Sequence, residues 1–417
     1  MPTDHPAPAP PAPGGRRIAL LLPSLDAGGV ARSLLELAEG FAKAGYAVDL
    51  LPCRARGAHA GRIPTGVRLV ELQPAGTLVS RLRLLRLDPG GWRVLARPAL
   101  LAFKPAFTQR YLQDLVRYLR AARPAALLAA NTPANLLAVW ARQQAGVPTR
   151  IVISERTQLS LQAGRSRRWR WRHVGPLVAR VYPHADAITA VSDGVADDLA
   201  GLAGLPRSAI RTLYNPVVRP ELLQRARQPP PHPWLADGAA PVVVAAGRLK
   251  PQKNFPLLLR AFARLRQQRP ARLLILGEGK QRQELEALAR ELRIADDVAL
   301  PGYEPNPYAA FARAALFVLS SDWEGLPNAL VEALACGCPV VATDCPSGPA
   351  EILAGGRYGE LVPVGDAERL AAAMARTLDH PLPAEVLRAR GAEFSLERSV
   401  ARYLDLLLPP TAAAAHA

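Results

Sequence analysis

Glu324-Gly325-Leu326-Pro327-Asn328-Ala329-Leu330-Val331-Glu332 sets two carboxylates on either side of seven residues that read as the start of a short helix. Pro327 suits the first helical position, where its missing N–H would be unpaired anyway, and Gly337 suits the residue just past the helix end. Glu324 then falls in the loop before the helix and Glu332 on the helix itself. The backbone N–H groups of Gly325, Leu326 and Asn328 face the positive end of the helix, a favourable place for a diphosphate. On this reading one carboxylate accepts hydrogen bonds from sugar hydroxyls and the other from a ribose. The competing reading is a favourable charge at a helix N-terminus plus one solvated Glu.

The flanking sequence favours the first reading. Ala314-Ala-Leu-Phe-Val-Leu-Ser-Ser321 is an apolar run ending in small polar residues, which predicts a buried strand, and Gly337-Cys-Pro-Val-Val-Ala-Thr343 predicts a second. Strand, loop, helix and strand make a parallel crossover unit. Such sheets bind ligands outside the carboxyl ends of their strands, and Glu324 sits at one.

Upstream, Val242-Val-Val-Ala-Ala-Gly-Arg-Leu-Lys-Pro-Gln-Lys-Asn254 joins an apolar strand to a basic loop. Together with the Glu324–Glu332 stretch it resembles the retaining family 4 glycosyltransferases (glycosyltransferase group 1) of GT-B architecture. The resemblance implies an α/β fold of two Rossmann-like, doubly wound domains facing a central cleft. In relatives, residues matching Arg248 and Lys253 bind the donor diphosphate, where fixed cations stabilise the charge that develops as the sugar–phosphate bond breaks. The same resemblance puts the backbone at Gly302 and Tyr303 beside the nucleobase. Gly325, Leu326, Pro327 and Asn328 join the donor site, with Glu324 on the sugar hydroxyls and Glu332 on the ribose. Asp344-Cys-Pro-Ser-Gly-Pro-Ala-Glu-Ile-Leu353 is similar to members that move N-acetylhexosamines onto polyprenyl-diphosphate or polysaccharide precursors.

In the N-terminal half, Arg17-Ile-Ala-Leu-Leu-Leu-Pro23 predicts a strand, followed by a glycine turn and a helix through Leu34, Leu35, Leu37 and Phe41. Gly28 and Gly29 permit close backbone approach to a ligand, and in relatives the matching glycines face the donor phosphate. Arg150-Ile-Val-Ile-Ser-Glu-Arg-Thr157 predicts another strand whose polar tail emerges at its carboxyl end. Many family members carry a histidine near there. This chain offers Ser154, Glu155 and Arg156, which makes Glu155 the candidate catalytic residue near the acceptor, with a Glu155–Arg156 surface pair as the alternative.

The 417 residues exceed what one core usually supports, and 49% hydrophobic content supplies two. The expected layout is a disordered Pro- and Ala-rich leader (1–15), an acceptor-binding domain (16–218) and a linker (219–240) containing Gln228-Pro-Pro-Pro-His-Pro-Trp234. A nucleotide-sugar-binding domain (241–395) follows, then a C-terminal helix (396–410) crossing back to the first domain. Four cysteines, Cys53, Cys336, Cys338 and Cys345, have neither zinc-ligand spacing nor a disulfide framework, which fits a reducing cytoplasm. No Asp-x-Asp motif is present, and the resemblance implies a metal-independent reaction without cofactor, with a UDP-sugar as the favoured co-substrate.

Lys and Arg total 52 against 35 Asp and Glu, a formal charge of +17, which attracts polyanions. Arg167, Arg168, Trp169, Arg170 and Trp171 interleave cations with amphipathic rings suited to a lipid headgroup layer. This favours an anionic membrane surface over nucleic acid, with solvated arginines as the plain alternative. No run of about 18 uncharged apolar residues is present. The expectation is a hexosyltransferase at the inner face of the cell membrane, acting on a lipid-linked or saccharide acceptor. Its rivals are a membrane-bound scaffold for glycan assembly and another GT-B enzyme, a phosphorylase or nucleotide-sugar epimerase.

Overall fold

The computed structural model describes residues 16–26, 28–76, 80, 107–165, 174–236 and 238–409. They divide into two compact units, one within Met1–Pro216 and Leu396–Ala417, the other Val217–Ser395.

The sheet of the first unit comprises β1 (Arg17–Ser24), β2 (Ala47–Arg54), β3 (Val67–Leu69), β4 (Ala126–Ala130), β5 (Arg150–Glu155), β6 (Ala187–Ala190) and β7 (Ile210–Thr212). Their order is β3-β2-β1-β4-β5-β6-β7, parallel throughout. Central strands such as β4, Ala-Leu-Leu-Ala-Ala, are apolar along their whole length because helices cover both faces of a parallel sheet. The helix after β6 starts as its sequence dictates, with Ser192 Oγ accepting from the Val195 N–H at 3.2 Å.

The helix Leu396–Leu407 belongs to this first unit. Its Leu396, Val400, Tyr403, Leu406 and Leu407 share a core with Ile18, Leu20 and Phe41. The fit against the helix Gly29–Lys43 depends on Gly40, where an added Cβ would lie 2.3 Å from Val400 Cγ2. Arg150 Nε also donates to the Leu406 carbonyl at 2.7 Å.

The second unit has β8 (Val242–Ala246), β9 (Arg272–Leu276), β10 (Val298–Gly302), β11 (Leu316–Leu319), β12 (Val340–Thr343) and β13 (Glu360–Val362). All pair in parallel in the order β10-β9-β8-β11-β12-β13. The two sheets thus share one topology, in which the strand order reverses direction between β1 and β4 and between β8 and β11. Leu258, Phe262 and Leu265 of the helix Phe255–Gln268 close one core against the second sheet.

The 219–240 stretch, expected as the linker, has regular structure of its own. It contains the helix Pro220–Ala226 and a 3-10 turn at Pro233–Leu235. Pro220 is the reason, since a proline at the first helical position starts a helix rather than breaking one. Arg225 donates to the Pro305 carbonyl and Arg313 Nη1 to the Ala226 carbonyl at 3.0 Å, which holds this segment on the second unit.

Candidate active site

The reversal between β8 and β11 sends the loops at their carboxyl ends apart, which is where open α/β sheets hold ligands. The β8 loop carries Arg248, Lys250 and Lys253; the β11 loop carries Ser320, Ser321, Asp322 and Glu324. Lys253 Nζ donates to Glu324 Oε1 at 2.6 Å, with the two side chains only 15% and 8% exposed. Ser321 Oγ donates to the same oxygen at 2.7 Å. Gln252 Nε2 donates to the Trp323 carbonyl at 2.7 Å and reaches Glu324 Oε2 at 3.4 Å.

Further bonds fasten the two loops together. The Asp322 N–H donates to the Gln252 carbonyl at 2.9 Å and Ser320 Oγ to the Lys253 carbonyl at 2.8 Å. Asn254 takes a left-handed conformation, φ 44°, which asparagine tolerates better than most residues. From there its Nδ2 donates to Asp322 Oδ1 at 2.7 Å while its Oδ1 caps the following helix through the Leu257 N–H at 3.3 Å. A Cβ on Gly247 would fall 2.9 Å from Lys253 Cε, so glycine there lets the lysine stem run beside the backbone.

Lys250 in turn feels the charges of Arg248, Lys253 and Glu324. It is more than half buried, and its pKa is lowered to about 8, first by this desolvation and then by the charges of Arg248 and Lys253, with Glu324 opposing them. Arg248 itself is exposed.

On the far side, the Glu324 N–H donates to the Pro346 carbonyl at 3.3 Å and Ser347 Oγ to the Gly325 carbonyl at 3.1 Å. The helix then runs Asn328–Cys336 with Gly337 closing it at φ 81°. Pro327 occupies the N-cap, not the expected first helical position. Its ψ of 90° lies outside the helical region, which leaves Asn328 to begin the helix. Glu332 lies on the helix as expected, 4% exposed, with Tyr308 Oη 3.4 Å from its Oε1. Gly302 adopts φ 103° and its carbonyl accepts from the Gly277 N–H at 2.7 Å, and the adjacent Tyr303 is 70% exposed.

The remaining candidates belong to the first unit. Gly28 is the N-cap of the 15-residue helix Gly29–Lys43, and a Cβ there would meet no atom within 4 Å. Glu155, the candidate catalytic residue near the acceptor, is buried and is not half of a Glu155–Arg156 surface pair. It is 2% exposed, Tyr182 Oη donates to its Oε1, and Asn135 Nδ2 and Thr132 Oγ1 donate at 3.1 and 3.2 Å. Burial pushes its pKa up to about 7, against the lowering pull of these bonds. Its neighbour Arg156 turns elsewhere, to Asn215 Oδ1 at 2.6 Å. Arg167, Arg168, Trp169, Arg170 and Trp171 lie outside the described residues.

Gln252, Lys250 and Ser321 escaped the sequence reading. The only signal available for Ser321 was its place at the end of an apolar strand; Gln252 gave none beyond its position between proline and lysine.

Residues 231–394, within the second unit, match the family described as "Glycosyl transferases group 1", and residues 27–219 match "Glycosyltransferase Family 4". The chain is a family 4, group 1 glycosyltransferase. Among curated relatives of this glycosyltransferase is the Campylobacter jejuni N-acetylgalactosamine-N,N'-diacetylbacillosaminyl-diphospho-undecaprenol 4-alpha-N-acetylgalactosaminyltransferase. The two are 36% identical over 236 residues, covering 56% of this chain and 61% of that protein. A lipopolysaccharide core biosynthesis glycosyltransferase of Rhizobium meliloti is 31% identical over 235 residues, covering 54% and 65%. These alignments therefore span less than two thirds of either relative. The solved structure of Anabaena HepE in complex with UDP superposes with a TM-score of 0.70 at 20% identity, over 94% of this chain and 99% of that one. The likeness shows that the expected GT-B fold is the fold of this glycosyltransferase. No described helix is long and apolar enough to cross a membrane.

Proposed function

We propose that this glycosyltransferase moves a hexose or N-acetylhexosamine from a nucleoside-diphosphate sugar, a UDP-sugar by preference, to a lipid-linked or polysaccharide acceptor with retention of anomeric configuration. The observation that carries the reading is the Lys253–Glu324 pair at the β8/β11 reversal, held by Gln252 and Ser321.

In the proposed mechanism, Lys253 and Arg248 hold the diphosphate and stabilise the charge that grows on it as the glycosidic bond lengthens. Glu324 accepts from the sugar hydroxyls and Glu332 from the ribose. The acceptor hydroxyl attacks on the face from which the diphosphate departs, and a departing phosphate oxygen takes its proton. The protein's task is then chiefly positioning, and the fixed loops supply it. The fully bonded, buried Glu155 has a structural part here rather than a catalytic one. The reaction needs no metal or cofactor on this reading.

The name of the Campylobacter relative supports an acceptor built on a polyprenyl diphosphate. The basic composition supports work at the inner face of an anionic membrane. The test is to incubate the protein with a panel of UDP- and GDP-sugars and a bacterial membrane extract, following nucleoside diphosphate release and lipid-linked product, with and without EDTA. Acceptor-dependent release that survives EDTA supports the reading. Phosphate-dependent release, donor isomerisation or no turnover with any donor overturns it.

A further inference from the structure

Arg156 follows β5 at the carboxyl edge of the first sheet, the edge at which doubly wound folds take ligands. Its neighbours come from the same edge: Asn215 lies beyond the end of β7, and the Val191 N–H, just past β6, donates to the Glu155 carbonyl. Arg156 is 6% exposed. Its Nη1 donates to Asn215 Oδ1 at 2.6 Å, whereas Nε and Nη2 are both buried and, among the described residues, find no acceptor. No carboxylate of the described residues forms an ion pair with it. Glu155, adjacent in sequence, has its carboxylate committed to Tyr182, Asn135 and Thr132.

A guanidinium cannot shed its charge by deprotonation. Burying it against a single neutral amide oxygen is strongly unfavourable, and a packed apolar side chain would serve a purely structural purpose better. Nε and Nη2 form one edge of the planar fork, the edge that grips two oxygens of a phosphate or carboxylate together.

We infer that Arg156 is an anion-binding residue of the first unit and takes a phosphate of a diphosphate-bearing acceptor. The inference rests on the acceptor reading above. It adds a residue to that reading and gives the acceptor's charged group a role in recognition. Because Nε and Nη2 are closed to solvent, binding is coupled to a local opening around the guanidinium.

The test uses the full chain with farnesyl diphosphate as probe, farnesol as the uncharged control and saturating UDP to occupy the donor site. Binding is read by thermal shift and calorimetry. The wild type is expected to bind farnesyl diphosphate and not farnesol. Arg156→Gln should weaken that binding at least about tenfold while the UDP shift is unchanged and the melting temperature without ligand is equal or higher. Arg156→Lys, which keeps the charge and loses the fork, should fold and bind with intermediate affinity. The inference is overturned if the wild type fails to bind farnesyl diphosphate, or if Arg156→Gln binds it as tightly as the wild type. A fall of several degrees in the melting temperature, restored by Arg156→Lys without restored binding, overturns it in favour of a structural role. Arg156-dependent binding without any UDP shift would leave this inference standing and remove the donor reading.

Discussion

Lys253 and Glu324, 71 residues apart in sequence, meet at 2.6 Å and thereby join the loops at the carboxyl ends of β8 and β11. The pair matters because each partner holds the other where a bound donor would need both. Ser321 and Gln252 fix the carboxylate further, so its two oxygens are oriented before any ligand arrives. Glu324→Gln keeps the shape and removes the charge. It is expected to lower turnover by roughly 100-fold, about 2.7 kcal/mol, in proportion to the loss of one preorganised electrostatic contact. Nucleoside diphosphate release from the donor identified in the panel measures it, and a change of less than about threefold would remove Glu324 from the site.

Lys250 is expected to make the proposed donor site sensitive to alkaline pH. Its pKa in the folded chain, about 8, lies below the 10.5 of the free side chain, so the native state releases a proton that the unfolded chain retains between these values. The destabilising ammonium is fully present below pH 8, and stability recovers as pH rises toward 10.5. A bound diphosphate reverses the preference by favouring the charged amine. UDP affinity should therefore decline as pH rises through 8, and Lys250→Met should flatten that decline while raising the melting temperature near neutral pH. Calorimetry across the range decides it; a wild-type profile that Lys250→Met reproduces would clear Lys250 of the effect.

Much of this arrangement was readable from the chain. Strands such as β8 and β11 announce themselves because a parallel strand covered on both faces must be apolar throughout. Glu324, Glu332 and Gly337 mark one helix and its loops through local rules of capping and charge. What stayed hidden depends on contacts between distant segments. Nothing near Gln252 foretells its bond to the Trp323 carbonyl, and Ser154-Glu155-Arg156 reads as a polar strand end although both charged side chains are buried. The helix at Pro220 stayed hidden for a different reason: a proline either starts or stops a helix, and at Pro220 it starts one.

Gly40 tests the place of the C-terminal helix in the first unit. An added Cβ would lie 2.3 Å from Val400 Cγ2, and a β-branched side chain in a helix has little freedom to turn away. Gly40→Ala gains about 1 kcal/mol of helix propensity and loses more to overpacking, for an expected net cost of about 1–2 kcal/mol. Adding Val400→Ala should return stability to within about 1 kcal/mol of the wild type. Urea unfolding of the two variants checks both statements, and equal losses in the single and double variants would mean that the two helices do not press on each other there.

Glu155 ties the first unit's stability to pH in the sense opposite to most carboxylates. Its pKa rises from 4.5 to about 7 because burial disfavours the anion more than Tyr182, Thr132 and Asn135 favour it. The native state therefore keeps a proton that the unfolded chain gives up above 4.5, and stability falls as pH climbs from 4.5 to about 7. The loss is complete above that range and is on the order of 3 kcal/mol. Glu155→Gln has no proton to lose, so between about pH 5 and pH 8 the difference in stability should move toward the variant by up to that amount. A difference that stays constant across the range would mean that the carboxylate ionises freely where it is, and would reopen a direct part for Glu155 in the reaction.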